Sequence, residues 1–234
     1  YLYLKQRGGK VATYIPQRKS EGYGLNDEAL KNIAEKGTTL VITVDCGISD
    51  VKAVERAREL GFMVVVSDHH MPPEELPPAH AITNPRLSEV NPCPHLAGVG
   101  VAFYLMGAVN AALAPHTGKR HNMGDSLDLV ALGTLADVVP LTGENRVLVR
   151  GGLVRIARAL RPGMAALKVA SGMSATAALS AGQAVFRLAP RINAAGRMGK
   201  GELALRLLRE KDHVAAAGMA QELDELNLAR RQEE

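Results

Sequence analysis

The sequence predicts an α/β fold: a mostly parallel sheet covered by helices, followed by a helical segment and the start of a long connecting helix. Three observations carry this prediction. Continuous β-branched runs, "TLVITVD" (39–45) and "FMVVVSD" (62–68), alternate with helix-length amphipathic segments over the first part of the chain. From residue 96 the pattern turns to long apolar stretches of helix length with few breakers. The chain has 234 residues, 47% apolar and 22% charged, enough to bury a real core in the manner of an ordinary globular protein.

Taken in order, Val11–Ile15 is a short strand candidate. "NDEALKNIAEKG" predicts a helix, with Asn26 as N-cap, Asp27 and Glu28 in the first turn and Gly37 as the stop. The run 39–45 has the composition of a strand buried on both faces. "SDVKAVERARELG" (49–61) predicts a second helix, capped by Ser49 or Asp50 and ended by Gly61. A second buried strand at 62–68 and a shorter one at 80–83 follow. Helices are expected over 98–113, 126–139 and 145–160, the last with Val149, Leu153, Ile156, Ala157 and Leu160 on one side and Arg146, Arg150, Arg158 and Arg161 on the other. Short helices and a long one from about Asp212 complete the chain. The expected organisation is one domain over 1–210, α/β to about 95 and helical from about 96, with a connecting helix over 211–234.

Composition narrows the function. Two cysteines, Cys46 and Cys93, cannot form a disulfide framework, so a reducing cytoplasm is the expected compartment. No stretch approaches an uninterrupted membrane-spanning length, so no membrane partner is expected. Aromatics make up 3%, which argues against recognition of nucleic acid by many stacked rings. The net charge of +4 is unevenly spread: residues 145–200 carry ten Arg or Lys and no Asp or Glu, whereas the segments before and after are both net acidic. Such a stretch points to a polyanion or, alternatively, to a solvated Arg-rich helical face.

Asp45 and Asp68 are each the first polar group after an apolar strand. In an open parallel sheet, ligands bind beyond the carboxyl ends of the strands, so both would project into one crevice; the alternative is that each only caps a turn. His69 and His70 adjoin Asp68. Zinc held by these histidines with Cys46, Cys93 and His95 finds no CxxC and no recognised ligand spacing. Carboxylates with one or two imidazoles suit Mn²⁺ or Mg²⁺ better. Cys46 is open to two readings, a nucleophile or a small buried residue of the "DCG" turn. Asp137 interrupts an apolar helix in "ALGTLADVVPL", where a charge is costly unless paired or metal-bound; the alternative is a helix end in solvent. Asp45, His69 and Asp137 form a plausible ligand set for one hard divalent ion.

"VDCG", "SDHH" and "ADVVPL", in that order, resemble successive motifs of the DHH phosphoesterase superfamily. "YIPQRKSEGYGLN", "LAGVGVAFYLM", "ENRVLVRGGL" and "FRLAPRINAAGRMG" narrow the likeness to its RecJ-type branch, single-strand-specific 5′→3′ DNA exonucleases. The resemblance implies two-metal hydrolysis with Mn²⁺ or Mg²⁺ and no protein nucleophile. It implies metal binding by Asp45, His69 and Asp137, a catalytic His70 facing the scissile phosphate, and Asp68 orienting a histidine. It implies that Arg191 and Arg197, with Asn193 between them, contact DNA phosphates, with Arg187 and Lys200 as weaker candidates. Single-stranded DNA is the implied substrate, in repair and recombination, and a single-strand-binding protein and a helicase are the implied protein partners.

The superfamily's first, Asp-rich motif has no match in residues 1–44, and the glycine-rich motif of its DHHA1 domain is also missing. The expectation is therefore a core fragment, inactive alone. Two other classes remain open: a DHH phosphodiesterase or pyrophosphatase acting on small substrates, and a non-catalytic nucleic-acid-binding scaffold.

Overall fold

The computed structural model describes residues 1–17, 22 and 24–233. In chain order the elements are α1 (Leu2–Gln6), α2 (Asp27–Ala34), β1 (Leu40–Val44), α3 (Val51–Glu59), β2 (Met63–Ser67), β3 (Ala81–Thr83), α4 (Gly98–Thr117), α5 (Leu127–Ala136), α6 (Gly143–Arg158), α7 (Pro162–Ala170), α8 (Ala181–Gln183), α9 (Ala189–Arg197), α10 (Gly201–Arg209) and α11 (His213–Glu233). A 3₁₀ turn (Met123–Ser126) precedes α5, and a π-helical turn (Ala184–Leu188) joins α8 to α9. Two compact units result: Ser20–Met123 with Val139–Arg146, and Tyr1–Lys19 with Gly124–Val138 and Val147–Glu234.

The first unit is the α/β one. Its three strands are parallel in the order β1-β2-β3. The register sets Leu40 beside Met63 and Val44 beside Ser67, and then Ser67 beside Thr83. Val41, Val64 and Val66 share one face and pack with Leu30, Val54, Ala57 and Phe62 of the α2–α3 layer. Each large side chain buried there contributes about 1.5–3 kcal/mol. The opposite face is more open than a doubly buried strand requires: Leu40 and Val44 are 42% and 53% exposed. β1 is an edge strand among the described residues, and its burial alternates.

Local signals mostly act as expected. Asn26 caps α2 by accepting from the Ala29 N–H at 2.8 Å. Asp50 occupies the N-cap position of α3 but makes no capping bond; its carboxylate accepts from the Leu25 N–H at 2.8 Å instead, tying the approach to α2 onto α3. α4 is long and apolar enough to cross a membrane by length and composition alone. It packs against β1 and β2, and its buried Asn110 exchanges two hydrogen bonds with the backbone of His121.

The second unit is helical. Its core gathers α5, α6, α7, α9, α10 and α11 around Leu135, Ile156, Leu167, Leu188, Leu207 and Leu223. Two expectations fail here. Val11–Ile15 forms no strand: residues 11–17 carry no regular structure, no described strand lies alongside, and Pro16 offers no N–H to a ladder. α6 stops at Arg158, so Leu160 lies outside it and is 71% exposed, while Arg161 turns inward and donates to both oxygens of Asp128. Within the motif stretch 14–26, residues 18–21 and 23 lie outside the described residues.

Candidate metal centre

Equal strand lengths build the site. Because Val44 lies beside Ser67, the residues that follow, Asp45 and Asp68, emerge side by side. Their backbones continue the ladder, Asp45 N–H donating to Ser67 and Asp68 N–H to Thr83. Asp45 then takes a left-handed conformation, φ +64°, which Asp tolerates better than most residues. The turn closes as Thr43 Oγ1 donates to the Cys46 carbonyl at 2.8 Å, and Gly47, φ +106°, passes where a Cβ would crowd the Thr43 side chain.

Asp68 is buried at 1% exposure and organises the two histidines. Its Oδ2 accepts from the Ile48 N–H at 2.9 Å. Its Oδ1 accepts from the His69 N–H at 2.7 Å, the His70 N–H at 3.2 Å and the His70 ring Nδ1 at 2.7 Å. Burial alone would raise this carboxyl, but these hydrogen bonds outweigh it and hold Asp68 below the ordinary carboxylate range. An ionised carboxylate only accepts, so Nδ1 of His70 carries the proton and its Nε2 faces away from Asp68.

His69 is buried and its Nε2 lies 3.1 Å from Asp45 Oδ1. One ligand atom from each of Asp45, His69 and His70 falls within 4.8 Å of the others. Opposed ligands of one Mg²⁺ stand about 4.2 Å apart, so the cluster needs little adjustment to close on an ion. Carboxylate oxygen with imidazole nitrogen is a donor set that fits Mn²⁺ or Mg²⁺.

Three supporting residues were not singled out from the sequence. Asn84 Nδ2 donates to the His70 carbonyl at 2.9 Å, and Arg86 Nε donates to the His69 carbonyl at 2.9 Å. Gly98, the first residue of α4, faces the Asp45 side chain so closely that any Cβ would overlap its carboxylate. The helix N-terminus there also favours the negative charge. "ITNPR" and "LAGVG" are visible in the sequence, but only the tertiary contacts give them roles.

Burial, with Asp50 and Asp68 adding to it, pushes the Cys46 thiol up to about 12, which favours the reading of Cys46 as a small residue of the turn over a nucleophile. Cys93 contacts Glu144 rather than any histidine, which leaves the zinc reading without support.

Asp137 belongs to the helical unit, where it is the exposed C-cap of α5. The burial argument for it therefore fails. Two other features distinguish the position. A carboxylate opposes the dipole at a helix C-terminus. The next residue, Val138, is β-branched with φ +59°, a strained conformation of the kind held at functional sites.

The candidate DNA-binding residues divide. Arg191 is mostly buried and pairs with Asp224 of α11 at 2.6 Å, while also donating to the carbonyls of Arg187 and Ala170. Lys200 pairs with Glu222 at 2.8 Å. Asn193, Arg187 and Arg197 are exposed, and neither of these two arginine side chains has an ion-pair partner among the described residues.

Comparison with known proteins bears on this arrangement. A family model described as "DHH family, N-terminal domain" matches residues 1–134. The single-stranded-DNA-specific exonuclease RecJ of Dickeya dadantii is 46% identical over 99% of this chain, which covers 42% of that protein. RecJ of Bacillus subtilis is 41% identical over 97% of the chain, covering 28% of that protein. A crystal structure of exonuclease RecJ bound to manganese matches 99% of the chain with a TM-score of 0.86 and 38% identity, 57% of that structure being covered. RecJ from Thermus thermophilus in complex with Mn²⁺ matches 99% of the chain with a TM-score of 0.84 and 35% identity, 32% of it being covered. The chain thus spans less than half the length of these curated relatives.

Proposed function

Because the chain belongs to the DHH family, we propose that it forms the core of a metal-dependent 5′→3′ exonuclease that hydrolyses single-stranded DNA in repair and recombination. The observation that carries this reading is the convergence of Asp45, His69 and His70 beyond two neighbouring strand ends. In it, Asp45 and His69 hold Mn²⁺ or Mg²⁺, and Asp137 joins them on the strength of its motif. A bound ion supplies Lewis acidity toward the phosphodiester and lowers the pKa of coordinated water. Asp68 fixes the His70 ring through Nδ1, which leaves Nε2 to face the scissile phosphate; in the imidazolium form, with a second proton on Nε2, the ring stabilises charge there or delivers that proton to the leaving oxygen. Arg187, Asn193 and Arg197 contact the DNA backbone, where planar guanidinium groups match phosphate oxygens. Arg191 anchors α9 to α11, and Lys200 reaches phosphate only by exchanging Glu222 for it. A cytoplasmic location enters through the cysteine count, and a single-strand-binding protein and a helicase as partners through the resemblance alone.

The test pairs metal binding with turnover. Mn²⁺ titrated into the protein by calorimetry should bind, and Asp45→Asn or His69→Ala should weaken it by at least about tenfold. In a protein that carries this chain at the full length of its relatives, His70→Ala should abolish release of nucleotides from a 5′-labelled single strand while strand binding persists. Full turnover by His70→Ala overturns its assigned role. In that full-length protein, cleavage of pyrophosphate or cyclic dinucleotides with single strands left intact would favour the small-substrate reading, and Mn²⁺ binding without any hydrolysis the scaffold reading.

A further inference from the structure

We propose that Phe186, exposed on the π-helical turn, is a base-stacking residue for single-stranded nucleic acid; this rests on the single-strand reading above. The chain has three phenylalanines. Phe62 is in the sheet core at 3% exposure, and Phe103 is half-buried in α4 against Tyr104. Phe186 is 77% exposed. Burying a Phe is worth about 1.5–3 kcal/mol, so this ring serves folding of the described chain little.

The local backbone explains the exposure. α8 opens with a capping box between Ser180 and Gln183, and the chain then runs helically through to Arg197. Ala184 and Leu188, at the two ends of the π-helical turn, are both fully buried. Spaced four apart, they share the buried face, and Phe186 and Arg187 between them are both on the outside. Single π turns inside α-helices are uncommon and gather at functional sites.

The surroundings say what the ring meets. Arg187 is its immediate neighbour, and Asn193 and Arg197, one turn apart on α9, follow along the exposed side. Residues 145–200 hold no acid of their own, and the acids of α11 that reach this helix, Asp224 and Glu222, are paired with Arg191 and Lys200. An exposed ring beside unpaired guanidinium groups is the combination that binds single strands, with bases stacked on the ring and phosphates on the cations. Double-stranded substrate keeps its bases paired and cannot offer them to it.

The test separates base from backbone. Wild type and Phe186→Ala are titrated with fluorescein-labelled oligothymidylate and with an abasic strand of equal length. Loss of one stack should weaken oligothymidylate binding by about 5- to 150-fold and leave abasic binding unchanged. Phe186→Leu, which keeps apolar bulk without the π face, should lose the same preference while melting as wild type does. Equal losses on both strands, or no loss on either, overturn the stacking role. Equal losses with a lowered melting temperature would assign the ring to packing. Failure of wild type to bind either strand would instead refute the single-strand reading.

Discussion

Asp68→Asn tests how the site is organised. The substitution preserves shape but turns one acceptor oxygen into a donor amide. If the amide faces the Ile48 N–H, two donors meet where one bond of 2.9 Å stood. If it turns the other way, it confronts the N–H groups of His69 and His70 and the His70 ring. A buried donor left unsatisfied costs about 1–3 kcal/mol, and the surviving bonds lose their charge assistance, for a total of roughly 2–5 kcal/mol. In a chain of this size that is a fall of roughly 4–20 °C in melting temperature, read by circular dichroism at pH 7. The pH dependence has a fixed sign. Asp68 has a folded-state pKa below its unfolded value, so its stabilisation is fully present above the unfolded value of about 3.9 and is lost as pH falls through the folded one. The gap between wild type and Asp68→Asn should therefore be level near neutrality and narrow only below about pH 4. A variant that melts within a degree of wild type at pH 7, or a gap that narrows on going from pH 8 to 6, would refute this account of Asp68.

Gly98→Ala should displace the Asp45 carboxylate and weaken Mn²⁺ binding by about tenfold or more with little change in melting temperature, because the atoms nearest the added Cβ all belong to that side chain. Unchanged affinity by calorimetry would separate Gly98 from the site. Arg191→Ala and Arg197→Ala should behave differently. Arg191→Ala leaves Asp224 without its cation and should cost about 1–3 kcal/mol in urea unfolding. Arg197→Ala should leave stability within about 0.5 kcal/mol and lower the salt dependence of single-strand binding by about one ion. The reverse pattern would restore Arg191 to the phosphate.

What the sequence revealed follows the range of the interactions. The pairing of Asp45 with Asp68 was legible because two strands of equal length end in the same register, and each strand announces its own end. The same holds for Asn26, whose capping bond spans three residues. Gly98 was not legible as a site residue, since its contact with Asp45 comes from docking of α4 and leaves no local spacing. Asn84 and Arg86 hold the histidines through backbone carbonyls, which no side-chain pattern records. Val11–Ile15 had a strand's composition, but a strand exists only where another offers its hydrogen bonds.

The acid-free stretch 145–200 shows why charge counted along a chain is a poor guide to charge on a surface. Arg155 pairs with Asp125, Arg161 with Asp128, Arg191 with Asp224 and Lys200 with Glu222, and every one of these acids lies outside the stretch. Lys168 is fully buried and donates to the carbonyls of Ile156 and Ala177, so it too faces no ligand. Half the cations thus serve the fold, which moves the binding question onto Arg146, Arg150, Arg158, Arg187 and Arg197, all exposed. Among these only Arg187 and Arg197 adjoin an exposed ring and an exposed amide. Eliminating the partnered cations leaves five exposed arginines, and on the proposed single-strand reading Arg187 and Arg197 are the two on the helical stretch that also carries Phe186 and Asn193.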